Sequence, residues 1–493
     1  MKVAVIGLDC FEPSLCFDRW LTDLPTIRAL VERGTYGNLT STVPPVTVPA
    51  WSCMTASKDP GQLGIYGFQD RKSRAYGDMT ICTALRVKEP RLWDILTAAG
   101  RPSIVVGVPG TFPQTKPLNG CLITDFLTPT TKDPRIPYTQ PPMLRLEVER
   151  IVGEYLVDVH MGRDATKRQI LEQIHVMTER RFKLVRHLIK EKPWDLMFMV
   201  EMGTDRIHHG FWSFMDPGHR RYVAGNEFEN SIRDYYKVID TEIAATLECL
   251  DLSETAVWLV SDHGAKALDG GVLINQWLIN NDYLVMKSPP PPRQKFKADY
   301  VDWSKTRAWA TPGYYGQIFV NQRNREPEGI IEAGDVDGLL DQLEAGLAAM
   351  VDDRGRPMGN VCHRPPRIYQ ACNNIAPELI VIFGDLRWRC SGWVGSDTLY
   401  VFDDDANAED ANHAQQGMYV LAPPTSEPQV STCADFPEPR VSTGADQPDA
   451  ARTWGLGHRV DASIYDVAPT ILVQLGTPVP ADMIGGVLPG AGV

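Results

Sequence analysis

Three short apolar runs constrain this chain more than anything else in it. Val3–Leu8, Leu196–Val200 and Ala256–Val260 are each the length of one strand and rich in β-branched or large apolar residues, and each stops within a few residues of an aspartate: Asp9, Asp205 and Asp262. Runs of this kind are continuous rather than alternating, as expected of strands covered on both faces. Helical patterns separate them. Leu24–Arg33 ends at Gly34, Trp93–Ala99 ends at Gly100, and Pro102–Gly107 is a further apolar strand. Alternation of this type predicts an α/β fold, a central mostly parallel sheet between helices. In such sheets ligands lie beyond the carboxyl ends of the strands, which is where the three aspartates fall.

The rest of the chain is organised around that frame. Arg145–Ile189 is charged and helical in period and predicts an amphipathic surface helix pair. Residues 1–270 and 400–493 are expected to form the core, with 271–400 inserted as a cap or substrate region; Pro289–Pro292 marks a loop within it. Pro423–Asp449 is rich in Pro, Ser, Thr and Asp, so 423–457 is read as a flexible insertion. Ala462–Leu475 resumes a helical period that Pro478 and Pro480 end. With 493 residues and a 43% hydrophobic fraction, a large core can be buried. A net charge of −13 argues against coating a nucleic-acid polymer but allows a small phosphorylated substrate, since bound metal ions reverse the sign locally. No stretch approaches the roughly 18 apolar residues of a membrane span. The ten cysteines form no CxxC pair. They read as reduced core residues, and the expected location is the cytoplasm. The sequence leaves the oligomeric state open.

Four segments carry ligand-type side chains. Asp9 closes the first strand. Asp205 and His209, four residues apart in Asp205-Arg206-Ile207-His208-His209, share one face of a helical turn. Asp262 and His263 are adjacent before Gly264, and His413 precedes the apolar run Met418–Ala422. Three carboxylates and three imidazoles are enough for two ions. Two divalent ions against three carboxylates leave one net positive charge, which favours an anionic substrate and an ionised hydroxyl. The candidate nucleophile is Thr47, in Pro44-Pro45-Val46-Thr47-Val48-Pro49-Ala50-Trp51, a proline-stiffened loop entering a helix whose N-terminus would face a phosphate. Trp51 and Phe68 are candidate substrate-binding aromatics, with core packing as their alternative.

Taken together, VIGLDC, PPVTVPAWSCMTA, MGTDRIHHGFW, VSDHGAKAL, ANHAQQGMYVLA and SIYDVAPTILVQLGTPVPADMIGG resemble the alkaline phosphatase superfamily, and most of all its type I phosphodiesterase / nucleotide pyrophosphatase branch. The resemblance implies an alkaline-phosphatase-like fold with cap insertions and two divalent ions, zinc first and manganese second. One ion would be held by Asp9, Asp262, His263 and the Thr47 oxygen, the other by Asp205, His209 and His413. Ala411-Asn412 stands before His413 where the family usually has Gly-Asp, and His458 is a rival for that position. The implied chemistry is attack of Thr47 on phosphorus, a covalent phosphothreonine, and its hydrolysis by water, on phosphodiester or pyrophosphate bonds of a small molecule. The alternatives are a phosphomonoesterase, a mutase-type phosphotransferase, or a metal-binding protein without catalysis. Gly64–Asp70 lacks the Asn that nucleotide pyrophosphatases carry after the nucleophile, with Phe68 or Gln69 in its place, and no Arg follows Pro49 as sulfatases require.

Overall fold

The computed structural model describes residues 1–162, 164–402, 409–425 and 457–490; most of the 423–457 insertion lies outside them. Ten strands build the central sheet: β1 (Lys2–Leu8), β2 (Thr35–Thr40), β3 (Ser103–Val106), β4 (Gly120–Ile123), β5 (Thr139–Gln140), β6 (Leu196–Glu201), β7 (Thr255–Val260), β8 (Gln416–Ala422), β9 (His458–Arg459) and β10 (Ala462–Ser463). The order is β9-β2-β8-β7-β1-β6-β3-β4-β5, with β10 also on β2. Pairing is parallel from β7 through β4, and β8 runs antiparallel to both of its neighbours. The mostly parallel sheet expected from the apolar runs is present, and β1, β3, β6 and β7 are buried along nearly their whole length.

Helices α1 (Pro25–Arg33), α2 (Thr47–Ala56), α3 (Leu92–Ala98), α4 (Leu144–Val152), α5 (Lys167–Glu191), α6 (Gly203–Met215), α7 (Ser231–Leu247) and α8 (Val467–Gln474) flank the sheet. Two expectations need correction. The Arg145–Ile189 pair is α4 and α5, but α5 is not a surface element throughout. Arg181 is fully buried and donates Nη1 to the Val200 carbonyl at 2.9 Å, so a residue that reads as polar face is part of the core. The helix expected over Ala462–Leu475 begins only at Val467. Ser463 pairs in β10 and caps the intervening turn, its hydroxyl accepting from Tyr465 N–H while Asp466 accepts from Ser463 N–H at 2.9 Å.

A second apolar cluster contains Val272, Trp277, Trp309, Phe319, Leu343 and Leu379, all from the inserted stretch. Its antiparallel hairpin, Ala308–Thr311 with Gly316–Val320, turns at Pro312–Tyr315 toward the carboxyl edge of the main sheet. Among the described residues no helix is long and apolar enough to cross a membrane, and every cysteine is unpaired.

Candidate metal centre and nucleophile

The site follows from strand register. β1 lies between β6 and β7, with Leu8 opposite Glu201 and Gly7 opposite Val260. Asp9, the start of α6 and Asp262-His263 therefore leave the sheet at one edge. The bond from Cys10 N–H to Asp262 Oδ1, 3.2 Å, ties two of these exits together. Gly7 is required by close approach: a Cβ there would lie 2.7 Å from the Trp51 ring. That ring lies against the sheet with no exposure, and its Nε1 donates to Asp9 Oδ2 at 2.7 Å. Trp51 thus orients Asp9 from the core and offers no open face to a substrate; of its two readings, substrate-binding aromatic and core residue, the second holds.

Both imidazoles beyond β7 are aimed by backbone. His263 Nδ1 lies 3.1 Å from the Gly264 carbonyl, and His413 Nδ1 lies 2.8 Å from the Pro45 carbonyl. A carbonyl only accepts, so each Nδ1 carries the proton and each Nε2 presents its lone pair to the carboxylates. His413 is placed by the pairing of Ala411–Ala414 with Gly264–Ala267, which sets it opposite Ala265, and its ring stacks on His263 at 3.8 Å. His263 Nε2 is 3.2 Å from Asp262 Oδ2 and 3.8 Å from Asp9 Oδ1. Asp205 Oδ1 is 3.1 Å from His209 Nε2 and 4.0 Å from His413 Nε2. Two sets, Asp9-Asp262-His263 and Asp205-His263-His413, each bring one ligand atom per residue within 4.8 Å of the others. His458, the rival imidazole, is exposed on β9 at the sheet edge, paired with Thr35.

These residues fit divalent ions on two observations. Asp9 Oδ1, Asp205 Oδ1, Asp262 Oδ2 and both ring nitrogens of His209 are buried without a hydrogen-bond partner. Such atoms cost about 1–3 kcal/mol each unless something charged meets them. The protonation balance agrees at Asp9, Asp262 and His263; at His209 burial lowers the imidazole but Asp205 outweighs it and raises it to about 9, a proton that a metal ion would displace. Burial, reinforced by Asp205, raises the Asp9 carboxyl well above its usual range, and burial with Asp9 does the same to Asp262. Burial opposes the Asp205 charge, but His209 and Arg206 outweigh it and hold Asp205 low. Burial lowers His263 to about 4, which keeps it neutral as a ligand must be. Three carboxylates buried together are the environment that cations relieve.

Thr47 opens α2 and is buried; its Oγ1 lies 3.4 Å from His263 Nε2. First-turn amides have no partner within a helix, and Pro49 contributes none, so the N–H groups of Thr47 and Val48 at the start of α2 are left without intrahelical bonds.

Several residues at the site had no role in the sequence. Arg206 donates Nη1 to Asp205 Oδ2 at 2.6 Å, while its Nε and Nη2 hold Asp158 Oδ1 and Oδ2 at 2.8 and 2.8 Å. Tyr314, at the tip of the inserted hairpin, stacks on His413 with centroids 4.1 Å apart. Phe68 is half-buried between Tyr314 and Phe126, 6.2 Å from each. Asp158 and Tyr314 come from stretches without a readable motif, and only tertiary pairing brings them here; no local pattern announces them.

The sequence model of the type I phosphodiesterase / nucleotide pyrophosphatase family matches residues 3–399. No curated protein matches the chain. Among solved structures it is similar to human ectonucleotide pyrophosphatase / phosphodiesterase 5, at 11% identity and TM-score 0.51 over 97% of this chain and 96% of that one. The murine counterpart gives 10% identity and TM-score 0.50 over 97% and 96%. At that identity the likeness shows the fold. The match over residues 3–399 shows the family: the chain is a hydrolase of the type I phosphodiesterase / nucleotide pyrophosphatase family, whose members are metal-dependent and act on small phosphorylated substrates.

Proposed function

We propose that this protein hydrolyses a phosphodiester or pyrophosphate bond of a small molecule through a covalent phosphothreonine at Thr47. The observation that carries the reading is the convergence of partnerless buried oxygens of Asp9, Asp205 and Asp262 on His263, whose Nε2 lies 3.4 Å from the Thr47 hydroxyl. Asp9, Asp262 and His263 would hold one divalent ion and Asp205, His209 and His413 the other, with zinc the first expectation and manganese the second. Bound there, the ions supply positive charge that lowers the hydroxyl pKa and offsets charge on phosphorus-bound oxygens. Thr47 Oγ1 forms the bond to phosphorus as the bond to the leaving oxygen breaks, and the amides of Thr47 and Val48 receive a non-bridging oxygen. Water then cleaves the phosphothreonine bond, releasing the phosphorylated product and restoring the hydroxyl.

Diesters rank ahead of monoesters. No Arg or Lys occurs between Gly34 and Lys58, and Lys58 is paired with Asp482 at 2.7 Å. The half-buried rings of Phe68 and Tyr314 suit a second substituent better than a bare dianion. The test is to mix zinc- or manganese-loaded protein with nucleotide, diester and monoester substrates, quench in acid and map the adduct. The expected result is turnover of diesters with the adduct on the Thr47 peptide. Turnover with no adduct, or transfer only to an acceptor alcohol, would replace this mechanism by direct water attack or by a phosphotransferase.

A further inference from the structure

Arg206 is a guanidinium bonded to one of the three aspartates and held from its other side by a second carboxylate, Asp158. Its Nη1 engages Asp205 Oδ2 at 2.6 Å, which turns the other oxygen, the partnerless Oδ1, into the site. Its Nε and Nη2 form a two-point clamp on Asp158. The Arg206 side chain is 17% exposed and that of Asp158 28%, whereas Asp205 is 2% exposed. The pair therefore forms a partly exposed layer over the buried Asp205. The guanidinium carbon stands 5.7 Å from the Phe126 ring, at one end of the half-buried row Phe126-Phe68-Tyr314. Asp158 belongs to the loop between α4 and α5, outside every motif that marks the site.

We infer that Asp158 is a specificity-determining residue: by neutralising the partly exposed Arg206 beside Asp205 it withholds a positive charge from the substrate and favours phosphodiester monoanions over phosphomonoester dianions. The inference rests on the phosphoesterase reading above. A monoester carries one more negative charge on the transferred group than a diester, so a guanidinium released from Asp158 stabilises the monoester more. Arg206 keeps its Asp205 bond in either state. A loosened loop lowers turnover of both esters together, whereas a change of charge moves their ratio.

The experiment compares the metal-loaded parent with Asp158→Asn, Asp158→Glu and the double variant Asp158→Asn/Arg206→Gln. For each, kcat/KM is measured on p-nitrophenyl phosphate and on methyl p-nitrophenyl phosphate. Calorimetry with inorganic phosphate gives binding of a dianion independently of turnover. For Asp158→Asn the monoester-to-diester ratio is expected to rise about tenfold, equivalent to about 1.4 kcal/mol, mainly through a lower monoester KM. Phosphate is expected to bind several-fold more tightly. Asp158→Glu should stay near the parent ratio, and the double variant should lose the gain. If Asp158→Asn cannot be purified, Asp158→Ser removes the same charge and is read the same way. A parent that turns over diesters, with a ratio unmoved within twofold in the charge-removing variant or moved equally without Arg206, overturns this inference alone. A loaded parent that turns over neither ester overturns the phosphoesterase reading with it.

Discussion

Two buried acidic clusters in this molecule are opposite in physics. At the carboxyl edge of the sheet, Asp9, Asp205 and Asp262 bring three negative charges together and leave an oxygen of each without a hydrogen bond. In the inserted region Glu326 is equally buried, but Arg71 grips it through Nη1 and Nη2 at 3.2 and 2.7 Å, and Arg74 and Arg325 add contacts at 3.2 and 3.1 Å. Both of its oxygens are satisfied. Its neighbour Glu378 accepts from Arg325 and from Val320 N–H. The second cluster fastens the Gln69–Ile81 hairpin to the inserted region, and its carboxylate oxygens on Glu326 are met by guanidinium donors. A buried carboxylate that is fully paired is structure; one left partnerless among like charges is a place where something else binds.

Substitutions can break or sharpen that contrast. The largest effect is expected from Thr47→Ala, which should lower turnover by about three orders of magnitude or more. Its melting temperature should stay near the parent value, since the change removes one methyl and a hydroxyl whose polar neighbour is His263 at 3.4 Å; Thr47→Ser should keep partial activity. Next come two chemically equivalent changes measured in excess chelator. Glu326→Gln leaves Arg71 buried against a neutral amide and should destabilise by about 3–5 kcal/mol. Asp262→Asn removes one of three like charges, keeps an acceptor for Cys10 N–H, and should stabilise the metal-free protein by about 1–3 kcal/mol. Denaturant titration reads both, and equal signs would erase the distinction. The smallest effect is expected from Trp51→Phe, which keeps an aromatic ring in the core but removes the donor to Asp9 Oδ2 and the outer indole edge that approaches Gly7. It should cost about 1–2 kcal/mol and roughly tenfold in kcat/KM; an unchanged rate would mean that Asp9 is fixed without it.

Much of this arrangement was legible in the chain itself, for a physical reason. Ligands that sit at strand ends inherit their position from backbone register, so Asp9, Asp205, Asp262 and His263 could be read beside the apolar runs that carry them. His413 and Thr47 were legible through the motifs around them. What stayed hidden depends on contacts between distant segments. Trp51 reads as an aromatic near the nucleophile, and only the approach of α2 to Gly7 shows that it serves Asp9 from the core. Arg181 reads as the polar face of a helix until β6 is seen beneath it. Asp158 and Tyr314 lie in stretches whose local pattern predicts surface, and the chain reaches the site there through the α4–α5 loop and the inserted hairpin. The choice between His413 and His458 was open in sequence because both are lone imidazoles, and strand pairing puts one among the carboxylates and the other at an exposed edge.

The central claim is that the partnerless carboxylates and imidazoles form a metal centre. Elemental analysis of protein loaded with zinc or manganese and then dialysed tests it most directly, with the parent, Asp262→Asn and Glu326→Gln treated side by side. The account predicts about two divalent ions per chain in the parent and in Glu326→Gln, with a clear loss in Asp262→Asn. A parent that retains no metal, or an Asp262→Asn protein that retains as much as the parent, would contradict it.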